Sequence, residues 1–311
     1  MRGLAAIPAA VAVLLAGCGD APDPAGPSGS LQVFPASFEV IAGQPSRLLV
    51  GVITPDNRFV SGGSVELAFS FLGEGRAGAP EPAGGATAAF LPIPGEEDRP
   101  VPEEPTAAPG ESARGVYAAK VTFGRPGFYE VEVSTDLAGR PSRGSGAFEV
   151  IPEPLVPYPG DRAPRTDNHL LGEPGVPEEA IDSRAATGGI PDPELHDTTI
   201  ADAIRAGRPA LVVMATPVYC VSRFCGPVTD MVAELAADYG DHADFIHVEI
   251  WADFQEGAIN EAAADWLLRE DDLQEPWVFL IGADGRIAAR WDNVATRAEI
   301  EPLLRDLPAG G

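Results

Sequence analysis

Lysine is almost missing. Lys120 is the only one in 311 residues, and arginine carries the remaining positive side-chain charge. Lys and Arg together number 21 against 47 Asp and Glu, a formal net charge of −26. A surface this acidic repels a phosphate backbone, which argues against nucleic acid as a partner. Cysteine is scarce too, at three residues: Cys18, Cys220 and Cys225. There are four histidines, His169, His196, His242 and His247. A zinc site takes about four ligands, and no second spaced pair accompanies Cys220 and Cys225, so no metal and no cofactor are expected. Beyond the N-terminus no apolar run approaches the roughly 20 residues of a bilayer-spanning helix. Glycine (35) and proline (32) are abundant and clustered, so much of the chain is turn-rich or irregular. The length permits two modest domains with linkers, not one large core.

The first residues, MRGLAAIPAAVAVLLAGCGD, hold Arg2, a short apolar stretch from Leu4 to Ala16, and then Leu15-Ala16-Gly17-Cys18. The stretch is short for a bilayer span, and its flanks fit an export signal. Leu15-Ala16-Gly17-Cys18 resembles the lipobox of bacterial lipoproteins, in which cleavage precedes the cysteine and the thiol receives a lipid. The resemblance implies a signal peptide and lipobox over residues 1–18, and an extracytoplasmic chain held to the cell membrane by a lipid on Cys18. Residues 19–30, GDAPDPAGPSGS, lack apolar periodicity and read as a flexible tether. Two thiols then remain in an oxidising compartment, where such a pair can form a disulfide.

Residues 31–151 read as all-β. Short β-prone runs are broken by Gly, Pro and Asn turns, and Val65, Leu67, Phe69 and Phe71 alternate. About seven strands at short spacing predict a β-sandwich, and GVYAAKVTFGRPGFYEVEV resembles the late strands of exported immunoglobulin-like modules. A spacer or interaction module is the expectation here. Residues 73–113 interrupt the pattern with an acidic, Pro-rich insert, expected to be a disordered loop. Glu96, Glu97 and Asp98 lack the spacing of a calcium loop and read as a solvated charge run. Residues 152–196 are a Pro/Gly-rich linker, extended enough to wrap a domain surface.

After residue 196 the period changes. TTIADAIRAGRP predicts a short helix with Thr198 or Thr199 as N-cap and Gly207 as stop. ALVVMAT, ADFIHVEIW, PWVFLIG and RIAARW read as strands, the last two joined by the turn ADG. VTDMVAELAADYG, NEAAADWLLRE and TRAEIEPLLRDL read as helices. The order α-β-α-β-α-β-β-α predicts helices around a mixed sheet. With Cys220 and Cys225 after the first strand and Pro276 opening a later one, residues 197–308 resemble the thioredoxin-like fold family, here with an expanded Cys-X4-Cys motif. Tyr219 stands where that family usually has Trp.

A regular helix would hold positions 220 and 225 too far apart for a bond, so Cys220 is expected in the loop before the helix. Ser222 is a candidate cap of the first turn, and Pro227 suits an early helical position. A thiolate near a helix N-terminus is stabilised by free N–H groups, and Arg223 adds positive charge. The resemblance implies that Cys220 attacks a substrate disulfide and Cys225 resolves it. It also implies a cis bond before Pro276 and substrate contacts from Tyr219, Glu275 and Pro276. The partners would be exported cysteine-containing proteins and a separate electron donor or acceptor. One departure stands out. Met214 occupies the position of the family's buried Asp, and Glu249 is the candidate replacement.

Alternatives stay open at this point. One is a binding lipoprotein with an inert disulfide. Another is a Q-type peroxiredoxin, which also carries Cys-X4-Cys, although Thr216 is displaced by one residue and Pro276 sits where an activating arginine would fall. A copper-delivery protein would need a histidine after the later strand, which is absent; His247 reads as a core or edge position.

Overall fold

The computed structural model describes residues 30–308, except 77, 97, 109–111, 223 and 270–271. Residues 1–29, where a signal peptide, the lipobox Cys18 and a tether are expected, lie outside the described residues, as does Arg223. Alternation of apolar and polar side chains builds the N-terminal part. In β4 (Ser64–Gly73), Val65, Leu67, Phe69 and Phe71 are buried while Glu66 and Ala68 face out. The other strands are β1 (Gln32–Pro35), β2 (Ser46–Ile53), β3 (Val60–Ser61), β5 (Glu81–Pro92), β6 (Thr106–Ala107), β7 (Gly115–Val121), β8 (Gly127–Asp136) and β9 (Pro141–Val150). Seven of them form one antiparallel sheet in the order β1-β2-β7-β5-β4-β8-β9, while β3 pairs with β6.

The ladder is continuous because β5 is long. Residues 81–89 pair with β4, and residues 89–92 pair with β7. The sheet therefore folds over on itself where two separately bonded sheets are expected. Leu48, Val50 and Tyr117 from one half meet Leu67, Phe69, Val131 and Val133 from the other in a single core. At the seam, Leu31 N donates to Arg143 O at 2.6 Å. Gly144 permits this approach, since a Cβ there would lie 2.1 Å from Leu31 O.

The insert is corrected on two counts. Residues 81–92 are not a loop, because ladder partners on both sides supply the backbone bonds that their Ala- and Gly-rich side chains could not justify by burial. Nor is Glu96 a solvated charge: it is buried and pairs with Arg99 at 2.8 Å and Arg114 at 3.0 Å.

The linker lies on the C-terminal part through named bonds. Trp266 Nε1 donates to Thr166 Oγ1 at 3.1 Å, Ile200 N to Asn168 Oδ1 at 2.8 Å, and Asn260 Nδ2 to Ala180 O at 3.0 Å. Beyond it come α1 (Ile200–Ala206), β10 (Ala210–Met214), α2 (Cys225–Tyr239), β11 (Asp244–Val248), β12 (Trp251–Asp253), β13 (Ala258–Ile259), α3 (Glu261–Leu267), β14 (Trp277–Ile281), β15 (Ile287–Asp292) and α4 (Arg297–Asp306). Thr199 Oγ1 accepts from Asp202 N and opens α1, and Gly207, at φ 67°, closes it. The second sheet runs β11-β10-β14-β15, with β10 and β11 parallel and the other pairs antiparallel. β10 and β14 are apolar at every position and fully buried, as a strand covered on both faces requires. Val212, Met214 and Phe279 pack with α1 and α3 on one face; Leu211, Val213 and Leu280 pack with α2 and α4 on the other.

The two parts share an interface at one end of this second sheet. Arg47 reaches from β2 to Val294 O at 2.6 Å and to Glu299 at 2.8 Å, and Arg290 pairs with Glu39 at 2.7 Å. Phe224, one residue before α2, packs with Leu49 and Val116 of the first sheet and with Val294.

Candidate functional site

β10 delivers the chain to a turn at Pro217–Tyr219, and Cys220 follows in irregular backbone. Cys225 is the first residue of α2. The two form a disulfide with their Cα atoms 6.0 Å apart, inside the range a bridge requires. The chain doubles back between them, as the spacing predicts. The two sulfurs differ in access: Cys220 is half-buried, and Cys225 is fully buried in the core beneath α2. A partner from outside can therefore meet Cys220 first.

Ser222 does not cap α2. Phe224 is the N-cap residue and makes no side-chain cap bond. Ser222 Oγ instead accepts from Phe224 N at 3.4 Å and lies 3.2 Å from Cys220 Sγ. The two-residue spacing makes a local turn inside the cysteine loop, competing with the cap geometry. Tyr219 stacks flat on Phe254, with ring centroids 4.0 Å apart, and Val218 and Val221 beside it are exposed.

The Glu275–Pro276 peptide is cis, and Pro276 is buried at the start of β14. Glu275, expected on the substrate side, turns its carboxyl inward. Its Oε2 accepts from Thr216 N at 2.8 Å and lies 3.5 Å from Cys225 Sγ. Burial pushes this carboxyl up to about 7; nearby Glu249 adds to the rise, while the Thr216 N–H bond and His247 oppose it. Glu249, the candidate replacement for the family's Asp, sits among backbone N–H groups. It is buried, and its oxygens accept from Ser183 N at 2.8 Å and Ile250 N at 2.9 Å.

A second group of chemical side chains lies under the same strand end. Asp182, His196 and His247 are all buried. Asp182 Oδ2 is 3.4 Å from both His196 Nε2 and His247 Nδ1. Arg184 forks onto Asp182 and also pairs with Asp192 and Asp230. Burial pushes the Asp182 carboxyl up, but His196, His247 and Arg184 outweigh it and hold it below the ordinary carboxylate range. His247 Nε2 lies 3.0 Å from Ala215 O, and Ser183 Oγ accepts from Val218 N at 3.2 Å. This group touches the loop that carries Cys220. Sequence reasoning placed His247 in a core or edge position and missed the rest, because residues 182, 196 and 247 share no spacing rule.

No protein-family model matches the chain, and no curated protein matches it. Among the described residues no helix is long and apolar enough to cross a membrane.

Proposed function

We propose that this chain is an extracytoplasmic thiol–disulfide oxidoreductase, held to the membrane by a lipid on Cys18. In this reading the C-terminal part is a thioredoxin-like domain and the N-terminal part an immunoglobulin-like module. The carrying observation is the asymmetric pair: an accessible Cys220 bonded to a sealed Cys225 at the start of α2, with the Glu275 carboxyl 3.5 Å from the inner sulfur.

In the reduced chain, the Cys220 thiolate attacks one sulfur of a substrate disulfide. A mixed disulfide forms and the other substrate sulfur leaves as a thiolate. Glu275 takes the proton of the Cys225 thiol. The Cys225 thiolate then attacks Cys220 Sγ, releasing the second substrate sulfur and closing Cys220–Cys225. Two electrons pass from the pair to the substrate, and a separate donor returns them; run backwards, the same steps oxidise a dithiol. The exposed Val218 and Val221 and the Tyr219–Phe254 stack suit an apolar polypeptide segment around the substrate cysteine. A carboxyl beside Cys225, and Pro276 where a peroxidase would keep an arginine, weigh against peroxide as substrate.

Insulin reduction by the full chain with dithiothreitol tests this. Turnover is expected, and a Cys220→Ser variant abolishes it. A pair that resists reduction and a Cys220 that alkylates no faster than Cys225 would leave the disulfide as an inert staple.

A further inference from the structure

We propose that Asp182, His196 and His247 bind a divalent first-row metal ion of the zinc class, independently of the cysteine pair. The three ligand atoms lie within 4.8 Å of one another and come from buried residues. Their separations are the first argument. Asp182 Oδ2 stands 3.4 Å from each histidine nitrogen. A charge-assisted hydrogen bond would close to about 2.7–2.9 Å. Ligands placed about 2.0–2.1 Å from a tetrahedral ion stand about 3.3 Å apart, as simple geometry requires.

Proton placement is the second. Ala215 O can only accept, so His247 Nε2 carries the hydrogen of their 3.0 Å contact. In the neutral ring Nδ1 then holds a lone pair, aimed at a carboxylate. A histidine that ligates through one nitrogen and donates the other N–H to a backbone carbonyl has the usual arrangement around a bound metal. His196 adds to this: it is buried, and among the described residues neither of its ring nitrogens has a hydrogen-bond partner of good geometry, Asp182 Oδ2 standing off at 3.4 Å. A buried imidazole without partners is costly unless something else takes its lone pair.

Charge is the third. Asp182, Asp192, Asp230 and Glu249 surround the group, and Arg184 is the cation seen among them. The Arg184 fork uses Asp182 Oδ1 and one side of Oδ2, and a carboxylate oxygen has a second lone pair. Three nitrogen and oxygen donors, with the fourth tetrahedral position left to a water, suit zinc or cobalt better than calcium or magnesium. Such an ion would fasten the linker, through Asp182 and His196, to β11 through His247. Ser183 would carry that fixation to the loop before Cys220.

The test uses the full chain, stripped with a chelator, checked for folding, reloaded with zinc(II) or cobalt(II) and desalted. One ion per chain is expected to remain. Cobalt should give the intense visible bands of a tetrahedral site without thiolate charge transfer, and X-ray absorption should show imidazole and oxygen neighbours only. A Cys220→Ser/Cys225→Ser variant should keep the ion; His196→Gln and His247→Gln should lose it. A folded wild-type chain that retains neither metal overturns the proposal. So does retention that disappears with the cysteines, which would move the ion to the reduced pair and Glu275. Because the Cys220→Ser/Cys225→Ser variant has no redox-active pair, the metal result and the oxidoreductase result can fail separately.

Discussion

Replacing Glu275 with glutamine isolates the carboxyl beside the disulfide. The glutamine side chain is nearly the same shape and keeps an oxygen for Thr216 N. What the change removes is the ionisable proton. In the folded chain the carboxyl is pushed up to about 7 from 4.5. The folded state thus holds this proton where the unfolded state has lost it, and stability falls as pH rises from about 4.5 through about 7. Each pKa unit is worth about 1.4 kcal/mol, so the full loss is at most about 3.5 kcal/mol, less whatever solvent screens at the half-buried group. The Glu275→Gln chain escapes that loss. In thermal melts of the oxidised form, the two proteins should run together near pH 4.5 and separate toward pH 8, the variant higher. At about 2–4 °C per kcal/mol for a chain of this class, the gap should reach several degrees. Reduced, the same variant should close the mixed disulfide about a hundredfold more slowly at pH 8, because Cys225 has lost its base. Melting curves that keep a constant offset from pH 4.5 to 8 would refute the placement of this carboxyl in a desolvated, protonated state.

Two further perturbations probe how the N-terminal sheet supports the site. Phe224→Ala removes the half-buried ring that joins the cysteine loop to Leu49 and Val116. A cost of about 2 kcal/mol is expected, below the 3–5 of a fully buried ring, together with a shifted reduction potential in a glutathione titration. An unchanged potential would show that the β-domain does not hold the loop. Arg47→Ala strips a cation from buried Asp292, whose carboxylate lies 3.6 Å from Arg47 Nη1, and from Glu299. Urea denaturation should register a loss of about 3 kcal/mol, the low end for a broken buried pair, because Phe38 N and Arg290 still act on Asp292; under 1 kcal/mol would mean that those groups suffice without Arg47.

Much of the architecture was legible in local pattern. Strict alternation in β4, the uninterrupted apolar runs of β10 and β14, and the Thr199 and Gly207 punctuation of α1 are short-range signals, and the structure follows them. The loop placement of Cys220 followed from helix rise alone. β5 was not legible. EPAGGATAAFLP contains few strand formers, and only its neighbours β4 and β7 make it a strand.

The candidate site divides in the same way. Chain order determined that two cysteines flank a helix start and that a proline opens a later strand, because those features are separated by a few residues and obey backbone geometry. Tertiary packing alone decided that Cys225 is sealed while Cys220 is reachable, that Glu275 turns toward sulfur, and that Asp182 and His196 from the linker meet His247 from β11. Burial and charge pairing depend on which distant segments share a volume, and no local spacing encodes that.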